Sequence, residues 1–368
     1  MADGKVKIRM LKLVDRLVGV GVKIWSPRTY VRSFSSPQRI LLIRPGGIGD
    51  AILLIPTINA IKHAYSDCVI DILAERRNAS VFELAQGVRT VYRYDAIADL
   101  STVLCHRYDV VIDTEQWYRL SAVVARLVRA PVKIGFGTNE RACQFTHPVS
   151  YSLDDHEKES FLSLLHPLDI AIPAVSRPPF LHIPETAVHA VSSLLEGVAQ
   201  YVALFPGASV REKRWGKDRF VFLAAKLAPQ KKVVVIGGRE DVSIGDEIAR
   251  EGGVNLAGRT SLLETAAIIA QADVLVSGDS GVLHLAAGLD VPSVALFGPS
   301  SIAKWAPQGS SGSVVSARAA CSPCSLYGTI PPCRHNVRCM DDITVDQVIS
   351  AIESVIAGQD CGNKKTAD

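Results

Sequence analysis

From Arg39 onward the hydrophobic positions follow two alternating rhythms. Short uninterrupted apolar runs, such as Ile40–Ile43 in "RILLIR", give way to stretches like "AILLIPTINAIKHA" in which apolar residues recur every three to four positions. The first rhythm reads as strands buried on both faces, the second as helices. On this reading "RILLIR", "CVIDILAE", "TVYRYD" and "DVVIDT" are strands, with helices around 50–65, 78–86 and 117–129. The segment 171–185, which carries Pro173, Pro178, Pro179 and Pro184, interrupts the pattern and is the expected crossing between domains. The pattern then restarts with strands in "YVALF", "KKVVVIGG", "VNLAG", "DVLVSGDSG" and "PSVALFG", and with helices around 218–228, 240–252 and 261–271. Strands alternating with helices predict parallel sheets covered on both faces. The expected class is therefore α/β, with two Rossmann-like domains (39–180 and 181–357) facing across a cleft and a disordered tail over 358–368.

Residues 1–38 stand apart. "KVKIRMLKLVDRLVGVGVKIW" has Arg9, Lys12, Arg16 and Lys23 at helical spacing beside a stripe of Met10, Val14, Leu17 and Val18, an amphipathic helix followed by a linker. Such a helix can lie in an anionic membrane interface or pack on its own domain. Residues 1–39 hold nine Lys or Arg against two Asp, a net of +7, which leaves −4 for the rest of a chain whose total is +3. An acidic body with a basic leader does not resemble a nucleic-acid binder. With no signal peptide and no apolar run long enough to span a bilayer, the expected location is cytoplasmic, peripheral on the inner membrane.

Candidate chemistry lies where strands end. In "RILLIRPGGIGD" a strand breaks into a turn containing Gly46, Gly47 and Gly49 and ends on Asp50 at a helix N-terminus. That outline suits a phosphate loop, but a carboxylate there repels phosphate, so Asp50 acts as a helix cap or as a base. The turn lacks the third small residue of a dinucleotide fingerprint. Gly47 and Gly49 with Glu75 still leave a nicotinamide oxidoreductase as one alternative, and a non-catalytic sugar-nucleotide binder as another.

In the second half, three loops converge on an anion. "LFPGASVREKRW" brings Gly207 and Ser209 to a small-residue turn with Lys213 and Arg214 beyond it. "VSGDSGVLHLAAGL" places Asp279, Ser280 and Gly281 at a helix start. "VIGGREDV" follows Gly237 and Gly238 with Glu240 and Asp241, acids able to accept hydrogen bonds from ribose hydroxyls. Together they read as a site for a nucleoside diphosphate.

Of eight cysteines, four fall in Cys321-x2-Cys324-x8-Cys333-x5-Cys339. The spacing suits a structural zinc or iron centre, with disulfides or free thiols as alternatives. Cys68, Cys105 and Cys143 stand singly among apolar residues and read as buried thiols.

Taken in order, "ILLIRPGGIGDAILLIPTINAIK", "YDVVIDTEQWYRLSAVVARL", "FPGASVREKRW", "LAGRTSLLETAAIIAQADVLVSGDSGVLHLAAGLDVPSVALFGPS" and the cysteine cluster resemble glycosyltransferase family 9, over about residues 39–355. That family includes the ADP-heptose:lipopolysaccharide heptosyltransferases. The resemblance implies a GT-B fold with an acceptor domain first and an ADP-sugar donor domain second, and an inverting transfer without a catalytic metal. It implies Asp50 as general base, Lys213 on the donor phosphate, and Asp279, Ser280, Gly281 and His284 around the diphosphate. It also implies Asp241 on the ribose and Thr260 beside the adenine, with Gly207, Ser209 and Arg214 completing the donor loops. The acceptor it implies is an anionic glycolipid. Gly47 and Gly49 would meet that acceptor, and Arg76, Arg77, Arg119, Lys133 and Arg141 follow first-domain strands where they could bind its charges. Gly216 stands where the family usually has proline, and the leader lies outside the family's core.

Overall fold

The structure is a computed structural model that describes residues 36–172, 177–250, 252–308 and 312–363. The leader helix expected over 1–25 lies outside these residues. The chain divides between Ser176 and Arg177 into two compact units.

In the first unit the elements are β1 (Arg39–Arg44), α1 (Ile48–Ala64), β2 (Val69–Ala74), β3 (Val88–Arg93), α2 (Ile97–Cys105), β4 (Val110–Asp113), α3 (Leu120–Leu127), β5 (Val132–Phe136), β6 (His147–Val149) and α4 (Glu157–Ser163). The strands form one parallel sheet in the order β3-β2-β1-β4-β5-β6. Ile40 to Ile43 on β1 have no exposed surface, as expected of a central strand covered on both faces. Helix α1 is apolar on nearly every side, with Ala51 through Ile58 all buried, and it packs against α4 and the turn over 79–84. Residues 79–84 make a 3₁₀ turn rather than the expected α-helix, the segment between β2 and β3 being too short for a nucleus to propagate.

The second unit repeats the plan with α5 (Glu185–Ser192), β7 (Tyr201–Phe205), α6 (Lys217–Leu227), β8 (Lys232–Val235), α7 (Val242–Ala249), β9 (Val254–Asn255), α8 (Leu262–Ile269), β10 (Val274–Gly278), α9 (Gly281–Gly288), β11 (Ser293–Leu296), α10 (Ile302–Trp305), β12 (Gly312–Val315), α11 (Arg338–Asp341) and α12 (Val345–Asn363). Its sheet order, β12-β11-β10-β7-β8-β9, is the same topology seen from the other edge. Residues 177–181 belong with this unit, since the amides of Phe180 and Leu181 both donate to the Gly288 carbonyl. One face of the sheet is covered by α6 and α12, whose Phe220, Leu223, Val348 and Ile352 share a core with Trp215 and Met340. A disordered tail was expected from 358, but α12 continues to Asn363. Val355 and Ile356 dock its last turns on the core, and each further residue then adds a backbone bond. Among the described residues no helix is long and apolar enough to cross a membrane.

Candidate active site

Each sheet reverses its strand order once, between β1 and β4 and between β7 and β10. Open parallel sheets bind ligands outside the carboxyl ends of the strands at such a reversal. Asp50 and Glu115 follow β1 and β4. The Pro206–Arg214 loop and the Asp279–Ser280 pair follow β7 and β10. Asp50, Lys213, Asp279 and Ser280 therefore stand at the switch points of their own sheets.

In the first unit the glycine turn is shaped by the residue before it. Arg44 ends β1 with its side chain buried. Gly46 passes over the guanidinium at φ +112°, where a Cβ would come within 2.8 Å of Nη2. Gly47 is the N-cap of α1 and Asp50 is the third helical residue. Among the described residues the Asp50 carboxylate accepts no hydrogen bond, so it does not cap the helix through Gly47. Its ion-pair partner is Arg44, with Nη2 at 4.0 Å from Oδ2. The Asp50 side chain keeps about a fifth of its surface exposed.

Behind it lies a buried polar cluster. Arg44 also reaches Glu115 at 3.4 Å, and Glu115 Oε1 accepts from the amides of Trp117 and Tyr118. Asp113 pairs with Arg141 at 2.5 Å, both fully buried, and accepts from the Ser121 hydroxyl at 2.9 Å. Glu157 accepts from the Tyr151 hydroxyl at 2.8 Å and from the Gln116 amide. Of these residues only Arg141 stood out in the sequence, as an acceptor contact, and Arg44 read as one more strand residue.

Two of the basic residues expected to meet an anionic acceptor do not face solvent. Arg141 is committed to Asp113 and to the Phe136 carbonyl. Lys133 is fully buried and donates to the carbonyls of Ala125 and Val128, the C-terminal end of α3, where a cation satisfies orphan carbonyls and complements the dipole. Arg119 is partly exposed and pairs with Glu140 at 2.8 Å. Arg76 and Arg77 are exposed, and Arg77 pairs at 2.7 Å with Glu75, the acid on which the nicotinamide alternative relied.

In the second unit Lys213 and Asp279 meet at 2.5 Å. The loop that delivers Lys213 is pinned by Trp215, whose buried indole donates to the Ile343 carbonyl at 2.9 Å and meets the Phe220 ring edge-on. Gly278 is small because the Lys213 carbonyl passes 2.9 Å from where its Cβ would be. Arg214 places Nε and Nη2 on the Ala208 carbonyl, tying this loop to the preceding turn. Gly216 adopts φ +108°, which proline's ring forbids, so the departure from the family pattern changes the backbone as well as the side chain.

Ser280 is the N-cap of α9; its hydroxyl accepts from Leu283 and lies 2.9 Å from the Ser277 hydroxyl. Gly281 begins the helix, so the first-turn amides there have no intrahelical acceptor. His284, one turn on, is buried with its ring centroid 6.3 Å from that of Trp305. Thr260 is half-buried, its hydroxyl 3.0 Å from that of Thr265, just ahead of the Ser261–Glu264 capping box of α8.

Asp241, the acid expected on the ribose, packs inside its own loop. It is 3% exposed, accepts from the Gly238 amide at 3.0 Å and occupies the space a Cβ on Gly207 would need. Burial pushes its carboxyl above the usual range. Gly207 is thus glycine for the sake of Asp241, and the exposed acid of the loop is Glu240. Ser209 is exposed at the end of the same turn.

The four clustered cysteines line one cavity of about 350 Å³, yet they do not assemble the expected metal centre. Among the described residues no group of three or more His, Cys, Asp or Glu side chains is arranged to hold an ion, and all four thiols are free. Cys339 is drawn into the core beneath Gly298, and Cys333 Sγ accepts from the amides of His335 and Val337, while Cys321 and Cys324 are exposed. Of the single cysteines, Cys68 is buried as expected but Cys105 is exposed and Cys143 intermediate. Burial, followed by the neighbouring thiols, pushes Cys339 up to about 11. At pH 8 only about one part in a thousand of Cys339 is then thiolate. Iodoacetamide on the native protein is expected to modify Cys321 readily and leave Cys339 intact, as read by peptide mass spectrometry. Protection of all four cysteines together, lifted by a chelator, would instead indicate a bound metal.

Against known proteins, the sequence profile of glycosyltransferase family 9 (heptosyltransferase) matches residues 97–334, more than half of the chain. The chain is 27% identical over 287 residues to lipopolysaccharide heptosyltransferase 3 of Escherichia coli, covering 70% of this chain and 83% of that protein. It is 27% identical over 300 residues to lipooligosaccharide heptosyltransferase 2 of Haemophilus influenzae, covering 72% and 84%. The fold matches the solved structure of E. coli ADP-heptose lps heptosyltransferase II with a TM-score of 0.72 at 21% identity, covering 88% of this chain and 99% of that one. The ordered motifs, the two six-stranded parallel sheets and the profile match agree: the chain belongs to glycosyltransferase family 9, the heptosyltransferases.

Proposed function

We propose that this protein moves a heptose or closely related sugar from an ADP-linked donor to a hydroxyl of a lipopolysaccharide inner core, with inversion at the transferred carbon and without a catalytic metal. The observation that carries the reading is the division of labour between the two switch points. The first offers a carboxylate with free acceptor oxygens. The second offers an ammonium beside the N-terminal amides of α9.

Asp50 takes the proton of the acceptor hydroxyl as its oxygen attacks the sugar carbon that bears the donor diphosphate. The new carbon–oxygen bond forms on the face opposite the one that breaks, so a single displacement inverts the configuration. Negative charge grows on the departing nucleoside diphosphate. Lys213, held beside the site by Asp279, and the amides opened by Ser280 and Gly281 meet that charge. On the donor loop Glu240 rather than Asp241 is placed to accept from the ribose hydroxyls.

The test is to incubate the protein with a panel of ADP- and UDP-sugars and a delipidated inner-core acceptor, and to identify the product by mass spectrometry and its anomeric configuration by NMR. Transfer from ADP-heptose with inversion is expected. Turnover confined to UDP-sugars, or retained configuration, would overturn the donor or the mechanism respectively. The basic leader is proposed to hold the enzyme at an anionic membrane. Removing residues 1–35, which spares the bonds from the Gln38 and Arg39 amides to Asp109, should lower turnover on membrane-embedded acceptor and leave the soluble assay unchanged.

A further inference from the structure

We propose that Arg44 is the positioning residue for the transfer: its fixed guanidinium orients the Asp50 carboxylate toward the incoming proton, and Glu115 tempers that effect by sharing the same nitrogen. The proposal rests on the reading of Asp50 as the base.

Arg44 is not a mobile surface cation. Only 1% of the residue is exposed. Nε donates to the Pro45 carbonyl at 2.6 Å, Nη1 donates to the Thr114 carbonyl at 2.8 Å, and the guanidinium carbon lies 5.5 Å from the Phe161 ring centre. These contacts leave Nη2 aimed at two carboxylates, Glu115 at 3.4 Å and Asp50 at 4.0 Å. The Gly46 backbone folds over that nitrogen in a conformation suited to glycine. The first glycine of the turn therefore makes room for an arginine, not for a sugar.

The separation from Asp50 fits a base better than a tight bond would. At 4.0 Å the cation attracts the carboxylate without occupying an oxygen that has to receive a proton. The remaining charged groups around it are otherwise engaged. From the end of β4, Asp113 is held by Arg141; from α4, Glu157 is held by the Tyr151 hydroxyl and Gln116. Burial, with Glu157 and Asp50 nearby, keeps the Tyr151 phenol far above its ordinary value, so it stays a neutral donor. Burial opposes charge on Arg44, but Asp50, Glu115, Glu157 and Asp113 together hold it above its ordinary value.

The test is the split of kcat against KM, with a thermal melt to report whether each variant is folded. Arg44→Met should lower kcat by about tenfold or more and leave KM for donor and acceptor within a few-fold, because it withdraws the orienting cation and removes no group that touches either substrate. Arg44→Lys should restore most of kcat. Glu115→Gln keeps an acceptor oxygen for the Trp117 and Tyr118 amides while removing the competing charge, and should leave kcat at or above wild type. Added to Asp50→Asn, Arg44→Met should cost no further kcat, since no base is left to orient.

An unchanged kcat in folded Arg44→Met, or a loss of the same size in the Asp50→Asn background, overturns the proposal. If Arg44→Met does not fold, a kcat in Glu115→Gln well below wild type does the same. Should Asp50→Asn alone retain turnover, the base reading fails first, and that single variant shows it independently of Arg44.

Discussion

Asp50→Asn is expected to lower kcat by about 10²–10⁴-fold, the contribution of a positioned general base. Asparagine keeps the shape of the side chain and removes its ability to take a proton. ADP affinity should stay within a few-fold of wild type, because the loops proposed to bind it all belong to the second unit. Stability should change little. A carboxylate in the first turn of α1 contributes about 0.3–1 kcal/mol through the helix dipole, and Asp50 makes no capping bond that the substitution could break. Steady-state kinetics, ADP titration and a thermal melt on one preparation decide between base and cap. Retention of more than about a tenth of kcat, with a lowered Tm, would make Asp50 a helix residue and nothing more.

Lys213→Met is expected to reduce kcat/KM by about 10²–10³-fold and to weaken ADP binding, since the ammonium meets charge that grows on the leaving diphosphate. The substitution has a second consequence: Asp279, 8% exposed on its side chain, loses its partner. An uncompensated buried carboxylate destabilises the loop whatever the chemistry. A double-mutant cycle separates the two effects. Adding Asp279→Asn to Lys213→Met should restore much of any lost stability and none of the turnover. Recovery of kcat/KM in the double variant would mean that the pair holds the loop together and that another group meets the diphosphate.

Membership of an α/β class and the positions of most strands were legible because buried parallel strands and amphipathic helices have different hydrophobic periods. "RILLIR", "YVALF" and "DVLVS" could be assigned without reference to anything distant in the chain. The interior strand β5, whose apolar run is broken by Lys133 and Gly135, and the edge strands β6 and β12 escaped the pattern. Pro148 and the Gly312–Ser313 pair break the apolar run, and an edge needs neighbours on one side only. The end of α12 escaped for the opposite reason, since docking on the core extends a helix beyond its local signals. The candidate residues themselves were mostly legible, because glycine turns and helix starts at strand ends are local features.

Their side-chain partners were not. Asp241, Lys133 and Arg141 each look in the sequence like a polar residue near a strand end, available to a ligand. Folding turned all three inward, onto Gly238, the end of α3 and Asp113 respectively. Arg44 went the other way, from an unremarked strand residue to the cation beside Asp50. Backbone period and turn chemistry act over a few residues, so the two βα arrays, the strand-end loops and the residue types that could carry a transfer follow from local patterns. Which strands flank each switch point, and therefore which charges are buried together, came only with folding: Arg44 with Asp50 and Glu115, Lys213 with Asp279. These pairings join residues 66 to 71 positions apart in the two longer cases, and low-dielectric contact between groups so distant in the chain exists only once the sheets have formed.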